Sequence, residues 1–580
     1  MEYDLETVRH SLAHVMAQAV NRLYKNVKQG VGPAIEDGFY QDFDIDQKIT
    51  PEDLPKIEKE MEKIITEDLE FKKEMLSKDE VLKLYKNDPY KTELVNEMKD
   101  GEISIYKSGE YTDLCKGPHV KSTGKLKSYA FKLNKLAGAY WRGDEKNKMM
   151  QRVYGVAFSN SKELRKHLAN LEEAKKRDHR KLGKELDLFV FSDLVGRGLP
   201  LFTPKGAVIK RELERFIVDE EIKRGYQHVY TQDLAKTDLY KKSGHYPYYK
   251  DTMYPPMQID EEELILRPMS CPHHFMLYKA KPRSYRELPM RIAEIAKLYR
   301  YEKSGELTGL LRVRDFCLAD SHIICQKNQA KDEIKGALDL IDYIAQILGL
   351  KKGEDYRYRL SLGDRNNKEK YYEDDQSWDY SEKILGEVLE EVKAPFYEAS
   401  DEAAFYGPKI DVQMKNVAGK EDTAFTVQYD FCMPEKFDLT FKNEKGKEEK
   451  AVVVHRSSIG SIERTIGFLI ERYAGAFPLW LSPIQVKIIP VSDKFIKDAQ
   501  KIAEQFKEKN IRCEIDDRAE SVGKKISDNI KEKNPYAIVI GEKEIKSGKL
   551  AVRIRGEKKV ENIKTDKFME KLYKEVESKK

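Results

Sequence analysis

Residues 296–316 read AKLYRYEKSGELTGLLRVRDF, and residues 460–475 read GSIERTIGFLIERYAG. In the first stretch Arg300, Arg312 and Arg314 crowd around a turn containing Ser304, Gly305 and Gly309. The pattern predicts a hairpin with Arg300 on one strand and Arg312 on the next. Two guanidinium groups on one face suit polyanionic phosphates. A surface hairpin with salt bridges to Glu302 and Glu306 accounts for the same residues equally well. In the second stretch Arg464 falls one turn into a predicted helix that follows a glycine.

Working outward, a mixed region extends to about Pro483. Its periodicity predicts amphipathic helices over 205–224, 328–349 and 378–392, and a strand over 450–456. Beyond it, IQVKIIPV, RCEIDD, YAIVIGE and LAVRIRG alternate with helical segments. That alternation predicts a small α/β domain with a largely parallel sheet. The terminal KLYKEVESKK reads as a solvated helix end. Toward the N-terminus, Leu5, Val8, Leu12, Val15, Met16, Ala19 and Leu23 mark a helix over 5–25. A turn-rich loop (30–38) follows it, then two charged helices near 51–67 and 77–86, and short strands to about Phe158. Residues 161–184 are strongly charged with few apolar positions, and predict one solvated connecting helix. There is no internal repeat.

A chain of 580 residues, 40% hydrophobic and 36% charged, can bury several cores. Its 105 basic and 101 acidic residues nearly balance, so net charge alone does not point to nucleic acid. Six scattered cysteines do not form a disulfide framework, which indicates a reducing, cytoplasmic compartment. The first residues lack the order of a signal peptide, and no apolar run is long enough for a membrane span.

Two His/Cys sets stand out. His10 and His14 are four apart on one helix face, and Cys115 and His119 repeat the spacing in DLCKGPH. By spacing this tetrad reads as a zinc site, with a helix-face histidine pair packed in a core as the alternative. Cys271, His322 and His455 are far apart in sequence. Taken alone, they read as a small buried hydrophobe and two unrelated histidines.

LYRYEKSG…RVRDF and GSIERTIGFL resemble motifs 2 and 3 of class II aminoacyl-tRNA synthetases. KSGHY, RPMSCPHH, YRELPMRIAE, AFYGPKID, TVQYDF and VVVHRSSIGSIER resemble the threonyl-tRNA synthetase family more closely. The resemblance runs in order over essentially the whole chain. It implies a multidomain α+β and α/β protein. An α+β editing domain (1–160) and a charged connecting helix (161–185) precede a class II catalytic domain (186–483), an antiparallel sheet flanked by helices. An α/β anticodon-binding domain (484–580) closes the chain.

The resemblance implies ATP-dependent activation of L-threonine and its transfer to the 3′ end of tRNA(Thr). Arg300 would hold the α-phosphate with Arg312 nearby, Phe316 would stack on adenine, Glu302 would contact the adenine region, and Arg464 would bind the γ-phosphate, with Mg2+ accompanying ATP. Cys271, His322 and His455 match the family's zinc ligands, and Met269, Asp320, Tyr406, Lys409, Gln428 and Ser461 its substrate pocket. The family places no ligand at His273 or His274. An open zinc position would take the amine and hydroxyl of threonine and refuse valine, which an apolar pocket separates poorly. Serine differs by one methyl, worth roughly 1–3 kcal/mol, so hydrolytic correction is needed. The resemblance assigns hydrolysis of seryl-tRNA(Thr), without a metal, to His10, His14, Lys91, Asp113, Cys115 and His119. It assigns anticodon reading to Glu544 and Arg553, and homodimer formation to motif 1.

Four positions depart from the family pattern. Leu318 and Ala319 replace a glutamine and an aspartate, Gln232 replaces a motif 1 proline, and Ala519 replaces an anticodon-reading asparagine. The family often begins with a ubiquitin-like domain, whereas this sequence opens at the editing helix. Two other functions compete: a related class II ligase for another amino acid, which Leu318 keeps open, and a weakened relative that binds tRNA as a regulator. Intact arginines and zinc-site residues argue against the second.

Overall fold

A computed structural model describes residues 3–99 and 101–579. The chain divides into two compact units, Met1–Glu172 and Glu173–Lys580. Among the described residues no helix is long and apolar enough to cross a membrane.

In the first unit, helix α1 (Leu5–Leu23) starts where Asp4 accepts a hydrogen bond from the Thr7 amide, a side-chain N-cap. Its Val8, Leu12, Val15, Met16 and Ala19 are buried together with Ile57, Met61 and Ile64 of α2 (Leu54–Glu67). The longer strands are β1 (Gly38–Asp44), β2 (Lys72–Ser77), β3 (Glu102–Ser108), β4 (Tyr111–Leu114), β5 (Ala130–Tyr140) and β6 (Met149–Phe158). β1, β6 and β5 form one antiparallel sheet, and β2, β3 and β4 a second. Helix α3 (Pro89–Glu97), which carries Lys91, lies beyond the charged helices expected from the sequence and is capped by Asp88.

The charged connector is not one helix. It is α4 (Ser161–Arg177), within which the two units divide, and α5 (His179–Glu185). Asp178 breaks it, because its carboxylate accepts the Arg180 amide at 2.8 Å and starts a new helix.

The second unit is built on one eight-stranded sheet. After α6 (Pro204–Lys223) come β7 (Gln227–His228), α7 (Cys271–Lys279), β8 (Met290–Tyr299) and β9 (Asp315–Cys325). Then follow α8 (Ala330–Ile347), β10 (Tyr356–Ser361), α9 (Asp375–Glu391), β11 (Phe396–Ala399), β12 (Lys409–Lys415), β13 (Glu421–Asp430), β14 (Val452–Ser461) and α10 (Ile462–Arg472). The spatial order is β7-β8-β9-β14-β13-β12-β10-β11. The inner pairings are antiparallel, and only the outermost pair at each edge is parallel. Ile334, Ala337, Leu338, Ile341 and Ile344 of α8 are wholly or nearly wholly buried, as the helical spacing of apolar residues requires.

The expected arginine hairpin is longer than the sequence reading. β8 ends at Tyr299 and β9 begins at Asp315, so Arg300 lies just past one strand and Arg312 in the connection. The connection holds a short turn at Ser304–Glu306 and a left-handed Gly309, too many residues for a tight two-residue hairpin.

Beyond the large sheet come β15 (Val486–Pro490), α11 (Ile496–Glu508), β16 (Cys513–Ile515), α12 (Val522–Glu532), β17 (Tyr536–Ile540), α13 (Glu542–Ser547), β18 (Lys549–Ile554), β19 (Val560–Lys564) and α14 (Thr565–Glu577). The sheet order is β16-β15-β17-β18-β19. β15 is parallel to β16 and β17, but β18 and β19 are antiparallel additions. The expectation of a largely parallel sheet is therefore half right. The segment between β17 and β18 is too short for a crossover, which needs a dozen or more residues. The C-terminal helix is not simply solvated either. Phe568 and Leu572 are fully buried, and the Lys579 ammonium lies 5.3 Å from the Trp480 ring.

Candidate active sites

A cavity of about 550 Å³ opens over β9, β13 and β14, lined at one end by Cys271, His322 and His455 and at the other by Arg300, Arg312 and Arg464. Register creates the first end. His322 lies directly opposite His455 across β9 and β14, and His455 opposite Gln428 on β13. Cys271 joins them from the first residue of α7. One ligand atom from each of the three lies within 4.8 Å of the others, and all three residues are buried.

The remaining nitrogen of each histidine is taken. His455 Nε2 lies 2.7 Å from Asp430, and His322 Nδ1 lies 2.8 Å from His274 Nδ1. His274 Nε2 in turn lies 3.1 Å from Glu294, which also pairs with Arg267 and accepts the Thr231 amide. These contacts leave His455 Nδ1, His322 Nε2 and Cys271 Sγ facing one another, with no hydrogen bond among the described residues. A thiol and two imidazole nitrogens, each ring braced from behind, are a donor set that fits zinc.

The other end is cationic. Arg300 gives its Nε to the Pro268 carbonyl at 3.3 Å and lies 5.3 Å over the Phe316 ring. Arg464, on the first turn of α10, is held by the Leu311 and Thr423 carbonyls at 3.0 and 3.2 Å. Neither makes an ion pair among the described residues, so both charges are available to an anion. Arg312 differs, being paired with Glu302 at 2.7 Å and Glu306 at 3.5 Å. Arg312 makes the ion pairs that the surface-hairpin alternative expected, yet it also lines the cavity. Gly460 makes the turn into α10 at φ +69, where a Cβ would lie 2.4 Å from the Ala424 carbonyl.

Between the two ends, Asp320 accepts from Ser270 at 2.5 Å, and burial pushes its carboxyl up. Tyr406 stacks on His455 with centroids 5.1 Å apart and donates its hydroxyl to Gln428. Met269, Leu318, Gln428 and Ser461 also line the cavity. Lys409 does not. It pairs with the fully buried Asp411 at 3.0 Å.

The second site lies in the first unit. Lys91 and Asp113, both nearly fully buried, pair at 2.6 Å. Tyr111 donates to Asp113 at 3.0 Å, and His14 Nε2 lies 3.8 Å from the same carboxylate. Cys115 Sγ lies 3.3 Å from both His10 Nε2 and His119 Nε2. The tautomers follow from the outer contacts. His10 Nδ1 faces the Pro118 carbonyl at 3.2 Å, which can only accept. His119 Nδ1 faces Ser11 Oγ, whose single proton goes to the Thr7 carbonyl. Both Nε2 atoms therefore carry lone pairs toward the sulfur. Burial pushes the Cys115 thiol up to about 11 and pulls His119 down to about 2. The thiol keeps its proton and satisfies one imidazole, leaving the other free to accept a proton from water.

The tRNA synthetase class II core domain (G, H, P, S and T) matches residues 254–473. The anticodon binding domain matches residues 485–575, and the threonyl and alanyl tRNA synthetase second additional domain matches residues 103–154. A threonine–tRNA ligase of Geobacillus sp. (strain WCH70) is 52% identical over 576 residues, covering 99% of this chain and 89% of that protein. The chain belongs to the threonine–tRNA ligase family.

Another ligase of the family, from Staphylococcus aureus (strain NCTC 8325 / PS 47), is 50% identical over 582 residues, covering 100% of this chain and 90% of that protein. Among solved structures, the RNA binding domain of threonyl-tRNA synthetase from Cryptosporidium parvum Iowa II superposes with a TM-score of 0.65 at 32% identity. It covers 68% of this chain and 98% of that one. A putative threonyl-tRNA synthetase from Aeropyrum pernix gives 0.63 at 29%, covering 69% and 97%. As a member of the threonine–tRNA ligase family, the chain is an aminoacyl-tRNA ligase with a class II core, an anticodon-binding domain and the additional domain shared with alanyl enzymes.

Within this ligase, Glu544 lies on α13, where its carboxylate accepts the Gly541 amide at 3.0 Å. Arg553 lies on β18 with a buried Nε that has no hydrogen-bond partner among the described residues. Ala519 sits in the turn before α12, and Gln232 follows Tyr230, which is 97% exposed. Leu318 faces Ser461 across the strands beside a β-bulge, while Ala319 packs in the core. An apolar side chain thus lines the ligase cavity where the family pattern has an amide. His274, set aside in the sequence as a non-ligand, and Glu294 and Asp430, which the sequence did not single out, stand behind the trio. The C-x-x-H spacing of Cys271 and His274 on one helix was the available signal.

Proposed function

We propose that this chain activates L-threonine with ATP, transfers it to the 3′ end of tRNA(Thr), and hydrolyses seryl-tRNA(Thr) at a second centre. One observation carries the reading: an open Cys/His/His donor set and two unpaired arginines face one cavity. Threonine lies at the donor set, and MgATP extends along Arg300, Phe316 and Arg464. Zinc held by Cys271, His322 and His455 would supply an open coordination position for the amine and hydroxyl of threonine, which valine cannot fill. Asp320 accepts a hydrogen bond from the same substrate groups, and Tyr406 and Gln428 close the pocket around the side chain. Arg300 binds the α-phosphate, where charge builds as the carboxylate attacks phosphorus, and stabilises it. Arg464 holds the γ-phosphate and orients the pyrophosphate leaving group. Phe316 takes the adenine face, and Glu302 keeps Arg312 turned toward the nucleotide.

At the second centre, the free Nε2 of His10 takes a proton from water as it attacks the seryl ester. Lys91, neutralised by Asp113, stabilises the oxyanion. Metal is not needed there, because Cys115 and its histidines already satisfy one another. Glu544 and Arg553 read anticodon base edges. The segment around Tyr230 meets a second copy of the chain in a homodimer. Six unpaired cysteines suit the cytoplasm.

The test is ATP–pyrophosphate exchange with threonine, serine and valine. Threonine should support exchange most strongly, serine less and valine least. Absence of threonine-dependent exchange overturns the ligase reading. Removing metal with a chelator should abolish exchange, and zinc should restore it.

A further inference from the structure

His179 opens helix α5 and is 1% exposed. Its backbone amide and its Nδ1 both meet Glu471 Oε1, at 3.2 and 2.7 Å. Its Nε2 lies 3.1 Å from the Leu310 amide. An amide only donates, so Nε2 accepts and the ring proton sits on Nδ1, directed at the Glu471 carboxylate. Leu310 is fully buried, so its amide has no water to turn to.

Two residues then lead to the cavity. Leu311, next in the chain, gives its carbonyl to Arg464 Nε at 3.0 Å. Arg464 and Glu471 lie on the same helix, α10. His179 therefore binds the motif 2 connection with one nitrogen and the arginine's own helix with the other. Gly309 approaches it so closely that a Cβ there would lie 2.1 Å from His179 Nε2. Asp178, His179 and Glu471 are near enough to suggest a cation site. However, both imidazole nitrogens are in use, and Asp178 caps α5 and pairs with Arg180 at 2.5 Å.

We propose that His179 is a positioning residue for ATP: by accepting the Leu310 amide it fixes the Leu311 carbonyl and, through it, the guanidinium of Arg464. This rests on the ligase reading above, in which Arg464 meets the γ-phosphate. His179 touches no substrate itself.

Glutamine and asparagine separate the two nitrogens. H179Q keeps an acceptor where Nε2 stood. H179N reaches only the Nδ1 position and strands the Leu310 amide. H179N should raise the ATP KM in pyrophosphate exchange about tenfold, the usual order for one stranded buried donor. The threonine KM and the zinc content should be unchanged, and H179Q should recover most of the loss. Calorimetric titration with MgATP, without amino acid, should show the same ranking, and unfolding temperatures of both variants control for stability. Equal ATP affinity in H179N and H179Q overturns the proposal, as does a threonine KM that rises as much as that for ATP. If the unaltered chain shows no exchange, the ligase reading fails, while calorimetry still decides the role of His179. If H179N does not fold, G309A displaces the same connection, and unchanged ATP affinity there would equally overturn it.

Discussion

The two His/Cys clusters use the same side chains in opposite ways. In the trio, each imidazole is tied outward, His455 to Asp430 and His322 to His274. Its inward atoms make no hydrogen bond among the described residues, although His322 Nε2 lies 4.0 Å from Asp320. In the tetrad, Cys115 lies between His10 Nε2 and His119 Nε2, and the donors and acceptors meet each other. The first arrangement turns three donor atoms toward one another. The second is complete with its own protons and has one lone pair to spare. Residue type does not separate the two clusters, and in both the outer ring nitrogens are held by neighbours; the difference is whether the inward atoms meet one another in hydrogen bonds, as they do only in the tetrad.

The sharpest way to break this contrast is Cys271→Ala. It should remove bound zinc and abolish threonine-dependent exchange while leaving seryl-tRNA hydrolysis intact; metal analysis and exchange assays read the two effects. Unchanged zinc content would refute the trio as the metal site. His10→Ala should do the reverse. Seryl-tRNA deacylation should fall by about 10²–10⁴-fold, the span of general acid–base catalysis, with threonylation preserved. Surviving deacylation would move the hydrolytic centre elsewhere. His274→Ala removes only the outward brace of His322. Zinc affinity, measured by chelator competition, should drop by about 10–100-fold, and unaltered affinity would mean that the brace is dispensable.

The smallest effect concerns acid stability of the tetrad. Burial holds His119 down near 2, His14 well below the ordinary imidazole value, and His10 below it to a lesser degree. In the unfolded chain these rings bind protons below about 6.5. Between 6.5 and about 2 the unfolded state therefore carries more protons than the folded one. The stability these rings contribute is present above pH 6.5 and is lost as pH falls toward 2. Hydrogen-exchange protection of α1 should decline across that window, and more gently in H119Q. Protection independent of pH would show that the rings are not held neutral.

The tetrad was legible because its residues recur at helical and near-neighbour spacing. The trio was not legible from spacing, since strand register and a helix start assemble it from three distant segments; only the family's motifs identified it. Arg464 was placed correctly because a glycine followed by an amphipathic run marks a helix start. Arg312 was misplaced because the sequence does not reveal how far a connection departs from a tight hairpin. The short segment before β18 was misread as continuing the parallel alternation. His274 was set aside as a non-ligand, yet its importance lies in what stands behind a ligand, a tertiary fact that spacing does not carry.

The placement of His322 opposite His455 has one more consequence. Side chains of adjacent strand residues point to opposite faces, so a slip of one residue between β9 and β14 would turn one ring out of the pocket. Formation of the trio and correct sheet assembly are therefore a single event. A chain folded out of register would not assemble the trio at all, rather than assemble a poorer one.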